Sequence, residues 1–119
     1  MTGQAKTSFY VTTPIYYVND KPHIGHAYTT LACDAMARFK RLDGYRVHFL
    51  TGTDEHGQKV QQGAEAEGID PIQRCDRVAE EFESMLRLLD ISNDDYIRTT
   101  QERHIKVVAH LLRELHDRG

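Results

Sequence analysis

The stretch SFYVTTPIYYVNDKPHIGH, residues 8–26, decides the fold class. Its first six residues are aromatic or β-branched apart from the leading serine, a short run suited to a buried strand. Pro14 has no N–H for a ladder, so the strand is expected to stop there. Residues 15–22 contain Asn19-Asp20 and Pro22 and read as a loop. A helix then opens near Gly25. Ala27, Leu31, Ala35, Phe39 and Leu42 recur at three- and four-residue steps and are expected to form its buried face. Asp43-Gly44 ends it, glycine being suited to the left-handed position after a helix. YRVHFLT, residues 45–51, alternates as a second strand with Thr53-Asp54 at its carboxyl end. Strand, helix and strand at this spacing suit a crossover between parallel strands.

Working outward, residues 1–7 read as a loose polar leader. GQKVQQGAEAEG reads as a polar helix ending at Gly68. Asp70-Pro71, with Gln73 three residues after the aspartate, is a capping-box helix start. That helix is expected to run to about Leu89 and to bury Val78, Phe82, Met85 and Leu89. SNDD is a turn and YIRTT a short strand. Thr100 or a neighbour opens a last helix, with Ile105, Val108, Leu112 and Leu115 on one face. The order β-α-β-α-α-β-α is an α/β pattern, for which parallel strands are the default. So few strands with an incomplete set of covering helices suggest half of a larger fold.

Composition bounds the function classes. The chain has 119 residues, 39% hydrophobic and 28% charged, the balance of an ordered soluble domain. A net charge of -3 excludes binding nucleic acid by overall charge alone. Arg38, Lys40, Arg41 and Arg46 form the only local basic cluster and read first as a solvated helix end. Cys33 and Cys75 form no C-x-x-C pair and signal neither zinc nor a redox motif. The start lacks a long apolar run, so neither a signal peptide nor a membrane span is expected. A reducing, cytoplasmic compartment is expected.

The most specific chemistry lies in Pro22-His23-Ile24-Gly25-His26, between the first strand and the first helix. A helix N-terminus has unpaired N–H groups and partial positive charge, and so favours phosphate. A glycine there lets a base or ribose approach the backbone. Histidines three apart in a first turn lie on one side and can donate hydrogen bonds to phosphate oxygens. The loop also sits at the carboxyl end of a strand, where open α/β sheets bind ligands. On these residues alone, surface histidines or helix caps remain the competing reading. A metal site would need a third ligand, and none has suitable spacing nearby.

His23-Ile24-Gly25-His26 resembles the HIGH signature of class I aminoacyl-tRNA synthetases. The flanking YVTTPIYYVNDKPHIGHAYTT and the later FLTGTDEHGQKV resemble the methionyl members in particular. The likeness extends over nearly the whole chain and is strongest over residues 9–60. It implies a Rossmann-like catalytic domain, of which residues 1–119 would be the N-terminal part, ending near the connective insertion. It implies attack of the methionine carboxylate on the α-phosphate of ATP, then transfer of the methionyl group to tRNA(Met). His23 and His26 would be the catalytic contacts to the ATP phosphates, and Gly25 would lie under the adenine. Asn19 and Lys21 would add nucleotide contacts. Ile15, through its backbone, would line the methionine site, Tyr17 would wall the methionine side chain, and Asp54 would hold the ammonium. Positioning and charge stabilisation carry such a transfer, and the ionised carboxylate needs no general base. ATP with magnesium is the implied co-substrate. Zinc, bound by some members within the insertion, is not expected in this chain.

Asp54 taken alone reads first as a helix N-cap, and Tyr17 as a packing or turn residue. His56 is a weak candidate beside Asp54, and His48 reads as structural. His104, His110 and His116 are six residues apart, point in three directions and form no metal cluster. The family's Lys-Met-Ser-Lys-Ser loop is absent, as is the tryptophan of its methionine pocket. The isolated chain is therefore expected to make no methionyl-adenylate. Two other classes compete: a small Rossmann-like nucleotidyltransferase, such as a pantetheine-phosphate adenylyltransferase, and a non-catalytic ATP-binding module. Amino-acid-dependent ATP–pyrophosphate exchange separates the first from a synthetase, and calorimetric titration with ATP and methionine, singly and together, tests the second.

Overall fold

The structure, a computed structural model, describes residues 6–119. The elements run β1 Lys6–Thr12, β2 Tyr16–Tyr17, α1 Ile24–Leu42, β3 Tyr45–Asp54, α2 Gln58–Glu67, α3 Pro71–Leu88, β4 Asp95–Arg98 and α4 Glu102–Arg118. Of the expected leader, residues 1–5 lie outside the described residues, and Lys6 and Thr7 belong to β1.

The sheet has four strands, all pairing in parallel with β3. Leu50 faces both Thr12 and Asp95, and Thr53 faces both Tyr16 and Arg98. β1 and β2 therefore follow one another along one edge of β3, and β4 takes the other. Central β3 buries Phe49, Thr51, Gly52 and Thr53. β1 is an edge strand of exposed and half-buried residues rather than the buried strand expected from its composition. The expected loop over 15–22 contains the two-residue β2, which rejoins the edge after Pro14 interrupts it.

Local signals set most boundaries. Asp70 Oδ1 accepts the Ile72 N–H at 3.0 Å, while the Asp70 N–H donates to Gln73 Oε1 at 3.2 Å. This reciprocal cap fixes the start of α3. Gly68 closes α2 at φ 67°, the left-handed conformation its position requires. α3 buries Cys75, Val78, Ala79, Phe82 and Leu86. Met85 and Leu89 are only half-buried, so Leu86 takes the inward position given above to Leu89. Tyr16, Val18, Val60, Cys75, Val78 and Phe82 form the core cluster.

α1 departs from its apolar repeat. Its buried residues are Thr30, Asp34 and Ala37, whereas Leu31, Ala35, Phe39 and Leu42 are exposed. The inward face is polar because hydrogen bonds satisfy it. Asp34 accepts from the Ser92 N–H at 2.8 Å, from Ser92 Oγ at 2.5 Å and from Arg38 Nε at 2.7 Å. Burial alone would raise the Asp34 pKa, but the Ser92 bonds and Arg38 outweigh it and hold the carboxyl below its usual range. The basic cluster is likewise engaged within the chain. Arg41 donates to Ser92 and Asp94, Arg46 to Ser8, and Lys40 lies over the Phe9 and Tyr45 rings.

Candidate nucleotide and amino-acid site

His23 is the N-cap of α1, and the cap is built from the two imidazoles. The Gly25 N–H donates to His23 Nδ1 at 3.1 Å, and the His23 N–H donates to His26 Nδ1 at 3.0 Å. The rings stack with centroids 3.8 Å apart and planes at 29°. Cap and chemistry are thus compatible roles for one pair. Because each Nδ1 accepts a backbone N–H, the neutral imidazoles carry their proton on Nε2, which remains free to donate. A Cβ at Gly25 would stand 2.9 Å from His23 Cε1 and 3.0 Å from Nδ1, so this glycine also seats the His23 ring.

His26 is braced from below. Its ring meets Tyr16 edge-on at 4.8 Å and Phe82 at 5.0 Å. Thr30 Oγ1 donates to the His26 carbonyl at 2.8 Å, which leaves the Tyr16 hydroxyl to donate to Thr30 Oγ1 at 2.7 Å. Burial, then the neighbouring His23, pushes the His26 pKa below its ordinary value. The fold therefore favours neutral His26. Its stabilising contribution is complete above the ordinary imidazole value of about 6.5 and is lost as pH falls from there through the depressed value. Histidine-resolved NMR is expected to show His26 titrating below about 6.5 as the Nε2–H tautomer. Titration at or above that value would contradict the packing.

The other sequence-predicted residues stand along the same carboxyl edge of the sheet. Ile15 follows Pro14 and is 41% exposed. Tyr17 is paired in register with Asp54, which places the two side by side at the ends of β2 and β3. Asp54 Oδ1 accepts the His56 N–H at 3.4 Å, and its carbonyl accepts the Val18 N–H at 3.2 Å. Asn19 and Lys21 are exposed in the loop after β2. The Asn19 carbonyl accepts from Arg74 Nη2 at 2.9 Å, tying that loop to α3. Lys21 and His23 line one open groove of ≈ 480 Å³ with Ile24, Met85 and Leu88. His56 is exposed, with Nδ1 3.0 Å from Thr99 Oγ1. His48 stacks on Tyr10 at 5.9 Å, a packing role on β3.

Supporting residues that the sequence did not single out are Tyr16, Thr30, Glu55 and Arg98. Glu55 follows Asp54 and its side chain is wholly buried. It accepts from Arg98 Nε at 2.7 Å and Nη2 at 2.6 Å, from Thr53 Oγ1 at 2.8 Å and from Thr100 Oγ1 at 3.1 Å. Arg98 also donates to Asp76 at 2.6 Å. Nothing local distinguishes Glu55 from its polar neighbours Asp54 and His56, and its partner is 43 residues away. Among the described residues no group of three His, Cys, Asp or Glu side chains is placed to hold a metal ion. No helix among them is long and apolar enough to cross a membrane.

The chain is 60% identical over its full 119 residues to the methionine–tRNA ligase of Halalkalibacterium halodurans, covering 18% of that protein. It is 56% identical over 116 residues to the methionine–tRNA ligase of Bacillus subtilis, 98% of this chain and 18% of the relative. The chain thus spans about a fifth of the length of these relatives. The Mycobacterium tuberculosis methionyl-tRNA synthetase in complex with methionyl-adenylate superposes with a TM-score of 0.80 at 54% identity. That match covers 83% of this chain and 19% of the other. The family model for tRNA synthetases class I (M) matches residues 9–119, and the chain belongs to that family.

Proposed function

We propose that this chain supplies the first half of the active site of a methionine–tRNA ligase, and that residues 1–119 are the N-terminal part of its catalytic domain. The observation that carries this reading is the His23–His26 pair at the start of α1, capped through Nδ1 so that Nε2 is left to donate. His23 and His26 bind the ATP phosphates and stabilise charge as the methionine carboxylate attacks the α-phosphate. Gly25 lies under the adenine, and Asn19 and Lys21 contact the nucleotide from the adjoining loop. Ile15 and Tyr17 wall the methionine, and Asp54 holds its ammonium. Magnesium enters on the triphosphate oxygens, its usual company in such sites. Transfer to tRNA(Met) follows in a cytoplasmic enzyme.

The shape of the chain supports a partial domain. Its radius of gyration is 17.3 Å. A compact domain of this length would have about 13–14 Å. α1 and α4 leave Phe39, Leu42, Ile105, Val107, Leu111, Leu112 and Leu115 exposed, apolar surface that a complete domain would cover. The chain alone is accordingly expected to show no methionine-dependent ATP–pyrophosphate exchange.

The test is that exchange in the full-length enzyme carrying this chain. Asp54→Ala is expected to raise the methionine KM about tenfold or more, the worth of one hydrogen bond to a charged group, and to leave the ATP KM unchanged. A methionine KM equal to that of the parent would remove Asp54 from the role. Exchange that does not depend on methionine would favour an adenylyltransferase of another class.

A further inference from the structure

Gly57 holds a backbone conformation that its place at the head of α2 does not explain. Its φ is 124° and ψ 161°, a region that essentially only glycine enters. As the N-cap of α2 it contributes no side-chain hydrogen bond. Serine or aspartate would serve a helix start at least as well. What the position does require is bare space. A Cβ there would overlap the Tyr17 hydroxyl and stand 3.3 Å from Tyr17 Cζ and 3.6 Å from Cε2. The outer end of the Tyr17 ring thus rests on the Gly57 backbone. The inner end belongs to β2, in register with Asp54, and packs against the core cluster.

We propose that Gly57 is a positioning residue for the amino-acid pocket, its bare Cα seating the hydroxyl end of Tyr17 so that the ring stands beside Asp54. The inference rests on the reading of Tyr17 as a wall of the methionine site. Any side chain at position 57 meets the ring at its far end. The ring is anchored through β2 at its near end, so it must tilt out of place rather than slide. The expected loss falls on amino-acid binding and spares the nucleotide.

A double-variant cycle in the full-length enzyme tests this, with Gly57→Ala, Tyr17→Phe, both together, and Tyr17→Ala. Gly57→Ala is expected to raise the methionine KM about tenfold with little change in the ATP KM. Adding Tyr17→Phe removes the overlapping oxygen, leaving a ring carbon that needs to yield only a few tenths of an ångström. The double variant is therefore expected to recover most of the methionine KM. The backbone strain at residue 57 is common to both variants and cancels in the comparison. If Gly57→Ala and the double variant behave alike, whether in kinetics or in failing to fold, the seat is not what this glycine provides and the proposal falls. Tyr17→Ala separates the two levels. If it leaves the methionine KM unchanged, Tyr17 does not wall the pocket, and that functional reading fails and takes this inference with it. If Tyr17→Ala raises the KM while Gly57→Ala does not, only the seat is lost.

Discussion

Replacing His26 by alanine in the full-length enzyme is expected to lower kcat for methionine-dependent exchange about 10²–10³-fold, the cost of removing one preorganised donor, roughly 2–4 kcal/mol. His26 Nδ1 is occupied by the His23 N–H, so its Nε2–H is fixed in direction before any nucleotide arrives. The ring is further held between Tyr16 and Phe82, and little reorganisation remains for the transition state. Alanine also removes half of the cap, which should lower stability by about 1 kcal/mol. His26→Gln separates the two effects. Glutamine at this helix position is a natural capping-box partner for the His23 N–H. It should restore the thermal midpoint while its flexible amide, aimed less rigidly, leaves exchange well below that of histidine. Exchange unaffected by both substitutions would leave His26 as a cap and nothing more.

What could be read from the sequence, and what could not, follows from the range of the interactions. The start of α1, the Asp70–Gln73 cap of α3 and the Gly68 stop of α2 are settled within a few residues of chain, and each stands where its residues place it. β3 was legible because its alternation is long. β2 was not, since two residues after a proline carry no periodicity, and only pairing with Thr53 and Asp54 makes them a strand. The face that α1 turns toward this chain's own sheet was not legible, for a physical reason. Apolar spacing identifies a buried face only when the core is apolar. Here the inward side carries Asp34, whose charge is satisfied by Ser92, 58 residues further on. The apolar stripe of Leu31, Phe39 and Leu42 instead faces outward. In the site, Tyr17 and Asp54 lie 37 positions apart and are neighbours only because β2 and β3 are paired in register. Their juxtaposition depends on the sheet, and no local motif contains it.

Arg98→Ala is expected to cost about 3–5 kcal/mol of stability, the effect of leaving one member of a buried ion pair uncompensated. The Glu55 side chain has no solvent exposure, while that of Arg98 has 21%. Among the described residues, removing Arg98 strips the carboxylate of two of its four side-chain hydrogen bonds and of its only counter-charge at contact distance. Asp76 loses a partner too, but it is 58% exposed and water replaces the guanidinium there at little cost. The loss is local to the junction of β3, β4 and α3. Hydrogen exchange of the Thr51 and Gly52 amides in the full-length enzyme, compared between parent and variant, reads it directly as a fall in opening free energy. Glu55→Leu/Arg98→Met supplies the control. Without a buried charge, nothing is left uncompensated, and replacement of a whole buried pair by apolar residues is commonly near neutral. The double variant should regain most of the protection that Arg98→Ala loses. Protection in Arg98→Ala within about 1 kcal/mol of the parent would mean that Thr53 and Thr100 satisfy Glu55 unaided, and that the arginine is no more than a surface ligand of Asp76.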